Sequence, residues 1–208
     1  AYAITCRARA MTLPQTPPPT SPSARADARP SELDTWLADE ARLQAAMARG
    51  PGPGVIPREM AMTTDGLTVL QRLVAGELPY AAIAKTLDFL LVEVAPGRAV
   101  FQGSPGPAHL NPVGGIHGGW YATLLDSALG CAVHTTMPAG RGYTTAELGL
   151  HLVRAIPPKV SRVRAIGTVV HSGRQLATAE ARLVGPDGTL YAHGSTTCLV
   201  FELPPAKA

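Results

Sequence analysis

A single carboxylate stands out in the middle of this sequence. Asp126 is the only Asp, Glu, Lys or Arg between Ala99 and Gly140, and it lies in an apolar run with the composition of a helix. A lone charge inside an apolar helix costs free energy unless another group compensates for its desolvation. Such a carboxylate is therefore a candidate for a group that holds a substrate.

Two glycines open the same run. Gly118 and Gly119 follow His117 at the predicted helix start, where they would leave backbone N–H groups uncrowded and able to bind an anion or a polarised carbonyl. Asp126 comes seven positions after Gly119, which is about two helical turns or roughly 10 Å. Together with residues from another element or subunit, these groups have the layout that acyl transfer or hydrolysis requires.

The composition argues against several classes of protein. The net charge of +3 is small and the basic residues are scattered, so we expect no nucleic-acid binding. Cys6, Cys131 and Cys198 are too widely spaced for a metal-ligand pair or a disulfide framework, and we expect no metal site and a reducing, cytoplasmic location. The apolar stretch 120–137 contains an aspartate and a histidine, so we expect no membrane span. Residues 1–10 have no continuous apolar core, which argues against a secretory signal.

The chain is predicted to have three segments. Residues 1–30 are rich in Pro, Ser, Thr and Ala, so we expect a disordered tail. Residues 31–60 hold an amphipathic helix, capped by Ser31, and a Pro/Gly linker. We expect this helix to pack on its own protomer or on a partner, with a regulatory or membrane contact as the alternative. Residues 61–208 form the main domain.

The main domain has the pattern of an α+β fold. A short amphipathic helix around Leu67–Val74 and a long central helix at 118–136 are accompanied by strand-like runs, with no βαβ alternation and no internal repeat. This pattern predicts a helix lying against a curved antiparallel sheet. The predicted strands are 89–94, 99–102, 144–153, 160–170, 176–184 and 190–201.

One motif carries a resemblance to a known family. The run from Asn111 to Gly119 reads Asn-Pro-Val-Gly-Gly-Ile-His-Gly-Gly, and an acidic residue follows nine positions after its histidine. This resembles the hotdog-fold acyl-CoA thioesterases, in particular their PaaI-like branch. Further similarities are Thr145-Ala146-Glu147 at a strand start, Gly173-Arg174 at a turn and Asp187-Gly188 in the closing hairpin. The resemblance covers about residues 64–201 and implies a hotdog fold, here with an added N-terminal tail.

The resemblance also implies a role for each residue of the motif. Asp126 corresponds to the catalytic acid, which acts as a nucleophile or as the base that activates water. Gly118 corresponds to the glycine whose N–H polarises the thioester carbonyl. His117 corresponds to a histidine near that carbonyl and the sulfur, and Asn111 to a residue that positions water or substrate.

The family places two sites at each dimer interface, and many members pair dimers into tetramers. Thr145, with Thr144 as the alternative, falls where relatives carry a Ser or Thr that reaches the site from the partner subunit. We therefore expect a homodimer or homotetramer with the site at the subunit interface. No separate cofactor is expected, because coenzyme A is part of the substrate.

Each site residue also has a purely structural interpretation. Asp126 could hold a loop N–H, and His117 could cap the helix. The two glycines could serve close packing, and Asn111 could be a turn residue beside Pro112.

Coenzyme A and the acyl group each need contacts. For the CoA phosphates, Gly173 and Arg174 are the main candidates, because the resemblance places this turn beside the cofactor arm; a solvated strand face is the alternative. Further basic candidates are Arg154, Lys159, Arg162 and Arg164. Candidates for the acyl pocket are Trp120 and Tyr121, with a lid formed by Leu67, Leu70, Tyr80 and Ile83.

The leading functional interpretation is an acyl-CoA thioesterase that releases a carboxylic acid and free CoA. One alternative keeps the fold and makes the protein a hydratase or dehydratase of an enoyl or hydroxyacyl thioester. A second is a non-catalytic acyl-CoA-binding module, and a third is an interaction protein that acts through its N-terminal helix.

Overall fold

The computed structural model describes residues 30–204, so the predicted tail lies outside the described residues except for Pro30. The helices are α1 (Glu32–Met47), α2 (Arg58–Thr63), α3 (Gly66–Val74), α4 (Ala82–Thr86) and α5 (Gly118–His134). The strands are β1 (Phe89–Ala95), β2 (Arg98–Gly103), β3 (Arg141–Leu152), β4 (Val163–Ser172), β5 (Leu176–Val184) and β6 (Leu190–Glu202). No helix between residues 30 and 204 combines the length and apolarity needed to cross a membrane.

The strands form one antiparallel sheet, in the order β1-β2-β4-β5-β6-β3. The long helix α5 packs on one face of this sheet, and the predicted α+β hotdog fold is confirmed. All six predicted strands are present, with ends displaced by no more than three residues. Both end strands, β1 and β3, leave one backbone edge unpaired among the described residues.

The helix α5 is held in the curve of the sheet by its apolar surface. Leu124 and Leu129 are fully buried and share one core with Val163 of β4. The two backbones approach closely, since a Cβ atom at Gly167 would lie only 2.2 Å from the carbonyl oxygen of Ala128. A side chain at position 167 would push the helix away from the sheet, so a glycine is required there.

Two short helices were not predicted from the sequence. Helices α2 and α4 have six and five residues, which is too short for a 3.6-residue period to be visible. The segment between α1 and α2 is also attached to the domain: the Gly54 N–H donates to the Tyr80 carbonyl at 2.9 Å, and the Tyr80 N–H donates to Gly52 at 3.2 Å. The division of the chain at residues 30 and 60 remains a prediction.

Helix α1 covers the outer face of the sheet, opposite α5. Ser31 caps it as predicted, in a capping box with Asp34. Its buried residue Leu43 packs with Val92 of β1 and Val100 of β2. The helix therefore packs on its own chain, which was one of the two main expectations.

An ionic cluster fixes α1 to the sheet. Arg162 donates two hydrogen bonds to the Glu40 carboxylate, one of them at 2.9 Å, and Gln102 donates to the same carboxylate at 2.8 Å. Arg164 donates to Asp39 at 2.9 Å and to the Gln102 side chain at 2.9 Å. Arg162 and Arg164, which the sequence offered as candidate phosphate contacts, therefore serve to hold α1.

The cluster changes the pKa of both carboxyl groups. Burial raises the pKa of Glu40, but hydrogen bonds from Arg162 and Gln102 outweigh it, and the net pKa lies below its usual value of 4.5. The hydrogen bond from Arg164 is the main cause of the lowered pKa of Asp39. The pKa of each carboxyl group is lower in the folded than in the unfolded protein, so the cluster stabilises the fold fully at a pH above the ordinary pKa values. This stabilisation is lost as the pH falls through the lower pKa values of the folded protein.

We predict that Glu40→Ala lowers the free energy of unfolding by about 2–3 kcal/mol. Removal of one partner from a buried ion pair costs about 3–5 kcal/mol, and the Arg162 and Glu40 side chains, at 22% and 11% exposure, retain some contact with water. Urea denaturation at neutral pH measures the change, and hydrogen exchange should show faster exchange in α1.

Arg42→Ala is the matched control, because it removes an exposed ion pair with Asp39 on the same helix. We expect this variant to change the free energy of unfolding by less than about 1 kcal/mol. The difference in the free energy of unfolding between wild type and Glu40→Ala should shrink as the pH falls below 4.5, the ordinary pKa of Glu40. Equal stability of the two proteins at neutral pH would contradict a stabilising role for the cluster.

Candidate active site

The lone carboxylate lies in the lining of an apolar cavity. Its volume is about 220 Å³. Most of its walls are apolar side chains of α1, α3, α4 and β1, among them Leu70, Tyr80 and Ile83 from the predicted lid. Its polar lining includes Asp126 and Thr145. An apolar space with a few convergent polar groups is the usual form of a small-molecule site.

Asp126 projects from α5 towards strand β3. It is half-buried, and the hydroxyl of Thr145 lies 3.4 Å from its Oδ1 atom. This distance is longer than an ordinary O–H···O hydrogen bond, and Asp126 has no other hydrogen-bond partner among residues 30–204. The carboxylate therefore keeps its lone pairs available for water or a substrate.

Two further polar side chains line the cavity near Asp126. Burial, with a smaller contribution from the Asp126 charge, raises the pKa of Cys131 to about 12. Burial, with smaller contributions from the nearby Cys131, Cys198 and Asp126 side chains, raises the pKa of Tyr143 well above 10. Both groups thus stay protonated at neutral pH, so Cys131 is a poor nucleophile and the Tyr143 hydroxyl remains a donor.

Tyr143 was not identified from the sequence. Its hydroxyl lies over the helix at Gly130, where an added Cβ atom would be 3.1 Å away. The available signal was its position two residues before Thr145 in a strand, because residues i and i+2 share a face. Only the packing against α5 shows that this face points into the cavity.

The start of α5 is a second group of polar atoms. His117 is the N-cap of α5, and its Nδ1 atom accepts a hydrogen bond from the Gly119 N–H at 2.9 Å. The Gly118 N–H has no acceptor within residues 30–204. A Cβ atom added at Gly118 would lie 3.3 Å from the Cδ2 atom of Leu152. The helix start therefore presents one uncrowded donor, as expected from the glycine pair.

Asn111 shapes the loop before the helix. Its Oδ1 atom accepts hydrogen bonds from the Val113 and Gly115 N–H groups, both at 3.1 Å. The backbone N–H of Asn111 donates to the Gly115 carbonyl at 2.8 Å. The side-chain oxygen is thus occupied by the turn, which is the structural interpretation considered for this residue.

The helix start and the cavity are separated within one chain. Gly118 and Asp126 are eight residues apart, which is about 12 Å along a helix. The cavity lining includes Asp126 and Thr145 but not Asn111, His117 or Gly118. The structure therefore brings the predicted site residues together in two groups.

Three other candidates lie away from the cavity. Trp120 and Tyr121 are buried: the indole N–H donates to the Leu87 carbonyl at 2.8 Å, and the Tyr121 hydroxyl accepts from the Ile156 N–H at 2.9 Å. Leu67 does not line the cavity either. The two aromatic residues hold the core and a loop rather than an acyl group.

The turn that contains Gly173 and Arg174 joins β4 to β5. Arg174 is exposed, and its carbonyl accepts a hydrogen bond from the Arg141 side chain. Ser172, just before the turn, lies 2.8 Å from the hydroxyl of Thr136, so the turn sits beside the C-terminal end of α5. Neither turn residue lines the cavity.

Comparisons with known proteins agree with the fold. Residues 113–192 match the model of the thioesterase superfamily, a range that contains every predicted site residue except Asn111. No match was found among curated proteins.

Among solved structures, a putative thioesterase from Ralstonia eutropha, described as phenylacetic acid degradation-related, is 28% identical. The similarity covers 62% of this chain and 97% of that one, with a TM-score of 0.56. A variant of the phenylacetic acid degradation protein PaaI from Thermus thermophilus is also 28% identical, covering 56% and 96%, with a TM-score of 0.51. A thioesterase family protein from Silicibacter pomeroyi is 25% identical, covering 58% and 90%, with a TM-score of 0.54.

We predict that His117→Ala lowers the free energy of unfolding by about 1 kcal/mol, because the N-cap acceptor for the Gly119 N–H is lost. His117→Ser should restore most of this stability, since a serine oxygen can accept the same hydrogen bond. Chemical denaturation of the wild type and the two variants checks the order of their free energies of unfolding. If the alanine and wild-type proteins were equally stable, capping would not explain the histidine.

Proposed function

We propose that this chain hydrolyses an acyl-CoA thioester to a carboxylic acid and free CoA. Its residues 113–192 match the thioesterase superfamily, and its motif resembles the PaaI-like branch. The observation that carries this proposal is the apolar cavity that contains Asp126 and Thr145. An acyl chain matches the apolar walls, and its thioester carbon can then lie beside the only carboxylate in the cavity.

The chemistry needs two groups that the chain supplies. A backbone N–H that polarises the carbonyl oxygen stabilises the charge that develops there, and Gly118 has such a donor without an acceptor in residues 30–204. Asp126 either removes a proton from the attacking water or attacks the carbonyl carbon itself. In both routes the C–S bond breaks, CoA leaves through its sulfur, and water supplies the oxygen and the proton that complete the two products.

We propose that each complete site contains residues of two protomers. Gly118, His117 and Asn111 of one protomer would face Asp126 and Thr145 of its partner. This arrangement resolves the separation of about 12 Å between the two groups in one chain. It also keeps Thr145 next to the Asp126 of its own chain, as the 3.4 Å contact requires.

The open edge of β3 supports pairing of two chains. β3 has twelve residues, and within residues 30–204 only β6 pairs with it. Leu148 and Leu152 lie on the helix-facing side of the sheet and are still 36% and 49% exposed. A long apolar edge that is left uncovered is a template for strand pairing, and a second copy would extend the sheet and cover these leucines.

Coenzyme A itself would lie outside the cavity, since its phosphates need water or basic groups. Arg174 is exposed at the β4–β5 turn, and Arg141 holds the backbone of that turn. We keep Arg174, with Gly173, as the proposed phosphate contact, because Arg162 and Arg164 are already paired with α1.

We predict that Asp126→Asn lowers kcat for acyl-CoA hydrolysis by at least about 100-fold, because the amide can neither accept a proton nor attack the carbonyl. The measurement is thiol release from acetyl-, octanoyl-, palmitoyl- and phenylacetyl-CoA. Glu59→Gln on α2, where the side chain is exposed, is the control and should match wild type. Thiol release that does not depend on Asp126 would overturn the assignment; tight binding without release would indicate a binding module.

We further predict that Gly118→Pro lowers kcat by about 100- to 1000-fold with the fold intact. Proline removes the backbone N–H and is tolerated at the first helical position, and the preceding residue His117 already has an extended ψ of 135°. The Cβ atom that proline adds would lie 3.3 Å from the end of the flexible Leu152 side chain, which can move aside. Loss of one oxyanion donor has this effect in other acyl-transfer enzymes.

A mixed dimer tests whether the site spans two protomers. A heterodimer of Gly118→Pro and Asp126→Asn chains would contain one site with both changes and one site with neither. We expect it to recover about half of the wild-type activity, because a two-fold dimer has two equivalent sites. If the heterodimer is as inactive as each homodimer, both groups act within a single chain and the proposed arrangement is wrong.

A further inference from the structure

The cavity does not stay on the inner side of the sheet. Asp126 projects from α5, which packs on the inner face, whereas α1 packs on the outer face. Leu43 and Met47 of α1 nevertheless line the same cavity as Asp126. The cavity therefore passes around the free edge of β1, from the carboxylate at one end to α1 at the other.

Most of the residues that line this cavity are apolar, among them Leu91 of β1, Leu70 of α3 and Ile83 of α4. The volume of about 220 Å³ is below the range of roughly 300–1,000 Å³ that is usual for pockets of drug-sized ligands. A small apolar cavity fits a chain of limited length better than a bulky group.

Helix α1 is fixed at both ends of the wall that it forms. One turn before Leu43, the Glu40 carboxylate is bound by Arg162 and Gln102. Just after Met47, the chain packs tightly on the C-terminal end of α3, because a Cβ atom at Gly50 would lie 2.2 Å from the Gly76 carbonyl oxygen. The wall is thus a rigid part of the domain.

We infer that α1 sets the length of acyl chain that the site accepts, with Met47 and Leu43 as the stop at the end of the cavity. This inference rests on the proposed thioesterase function, and it names medium-length, unbranched acyl chains as the substrate class. Helix α1 lies outside residues 113–192, the range that matches the thioesterase superfamily. In this inference the chain-length specificity comes from a helix outside the matched range.

The test compares Met47→Ala, which lengthens the cavity, with Met47→Phe, which shortens it. We measure kcat/KM for butyryl-, octanoyl- and decanoyl-CoA, and the binding of the matching S-alkyl-CoA thioethers, which cannot be hydrolysed. Met47→Ala should raise the preference for decanoyl over octanoyl by at least about tenfold, because one methylene in an apolar pocket changes discrimination by about 10- to 200-fold. Met47→Phe should shift the preference towards butyryl by a similar factor. Leu37→Ala, on the same helix but not part of the cavity wall, should leave the profile unchanged.

The outcomes separate the two proposals. Opposite shifts of the chain-length preference in the two Met47 variants support the inference. Simple loosening of α1 would shift the preference of both variants in the same direction. If wild type hydrolyses acyl-CoA and neither variant changes the chain-length profile, the role of α1 is wrong and the thioesterase function stands. If the thioethers bind with shifted preferences but no thiol is released, the thioesterase function is wrong and the role of α1 in acyl binding stands. If no thioether binds, the inference is overturned.

Discussion

The burial of α5 in the curve of the sheet is the constraint on which the rest of this structure depends. The helix is apolar over most of its circumference, and it can lie close to β4 because Gly167 has no side chain opposite Ala128. The only charged side chain of the helix must then point to the side that the sheet leaves open. Asp126 is consequently placed at the polar end of a cavity instead of in the core.

The same packing sets the chemical character of the groups around Asp126. Low exposure keeps Cys131 and Tyr143 protonated, and the carboxylate charge adds to the effect of burial. One negative charge is thus surrounded by neutral groups, and the long contact with Thr145 does not saturate it. A carboxylate in this setting is suited to take a proton or to attack a carbonyl, whereas the nearby thiol is not.

Helix α1 adds a second layer to the domain, on the opposite face of the sheet. Its attachment combines a small apolar cluster around Leu43 with a half-buried ionic network around Glu40. A buried ion pair of this kind adds little stability compared with an apolar substitute, but it allows only one placement of the helix. That placement brings Met47 to the cavity, so the network connects the outer face of the sheet to the shape of the site.

Local sequence patterns determined much of this protein. The alternation along the strands, the Ser31 cap and the glycine pair before an apolar run predicted the fold and most element boundaries, because these features depend on neighbouring residues. They also singled out Asp126, Gly118 and His117. The motif resemblance placed Thr145 and predicted the α+β hotdog class.

Only the tertiary structure decided which of these residues meet. It showed that Thr145 and Tyr143 share the cavity with Asp126, that Gly118 does not line this cavity, and that Trp120 belongs to the core. The pairing of Glu40 with Arg162, 122 residues away, has no local signature in the sequence. Contacts of this kind depend on how the whole sheet curves around α5, and a pattern read over a few neighbouring residues does not contain that information.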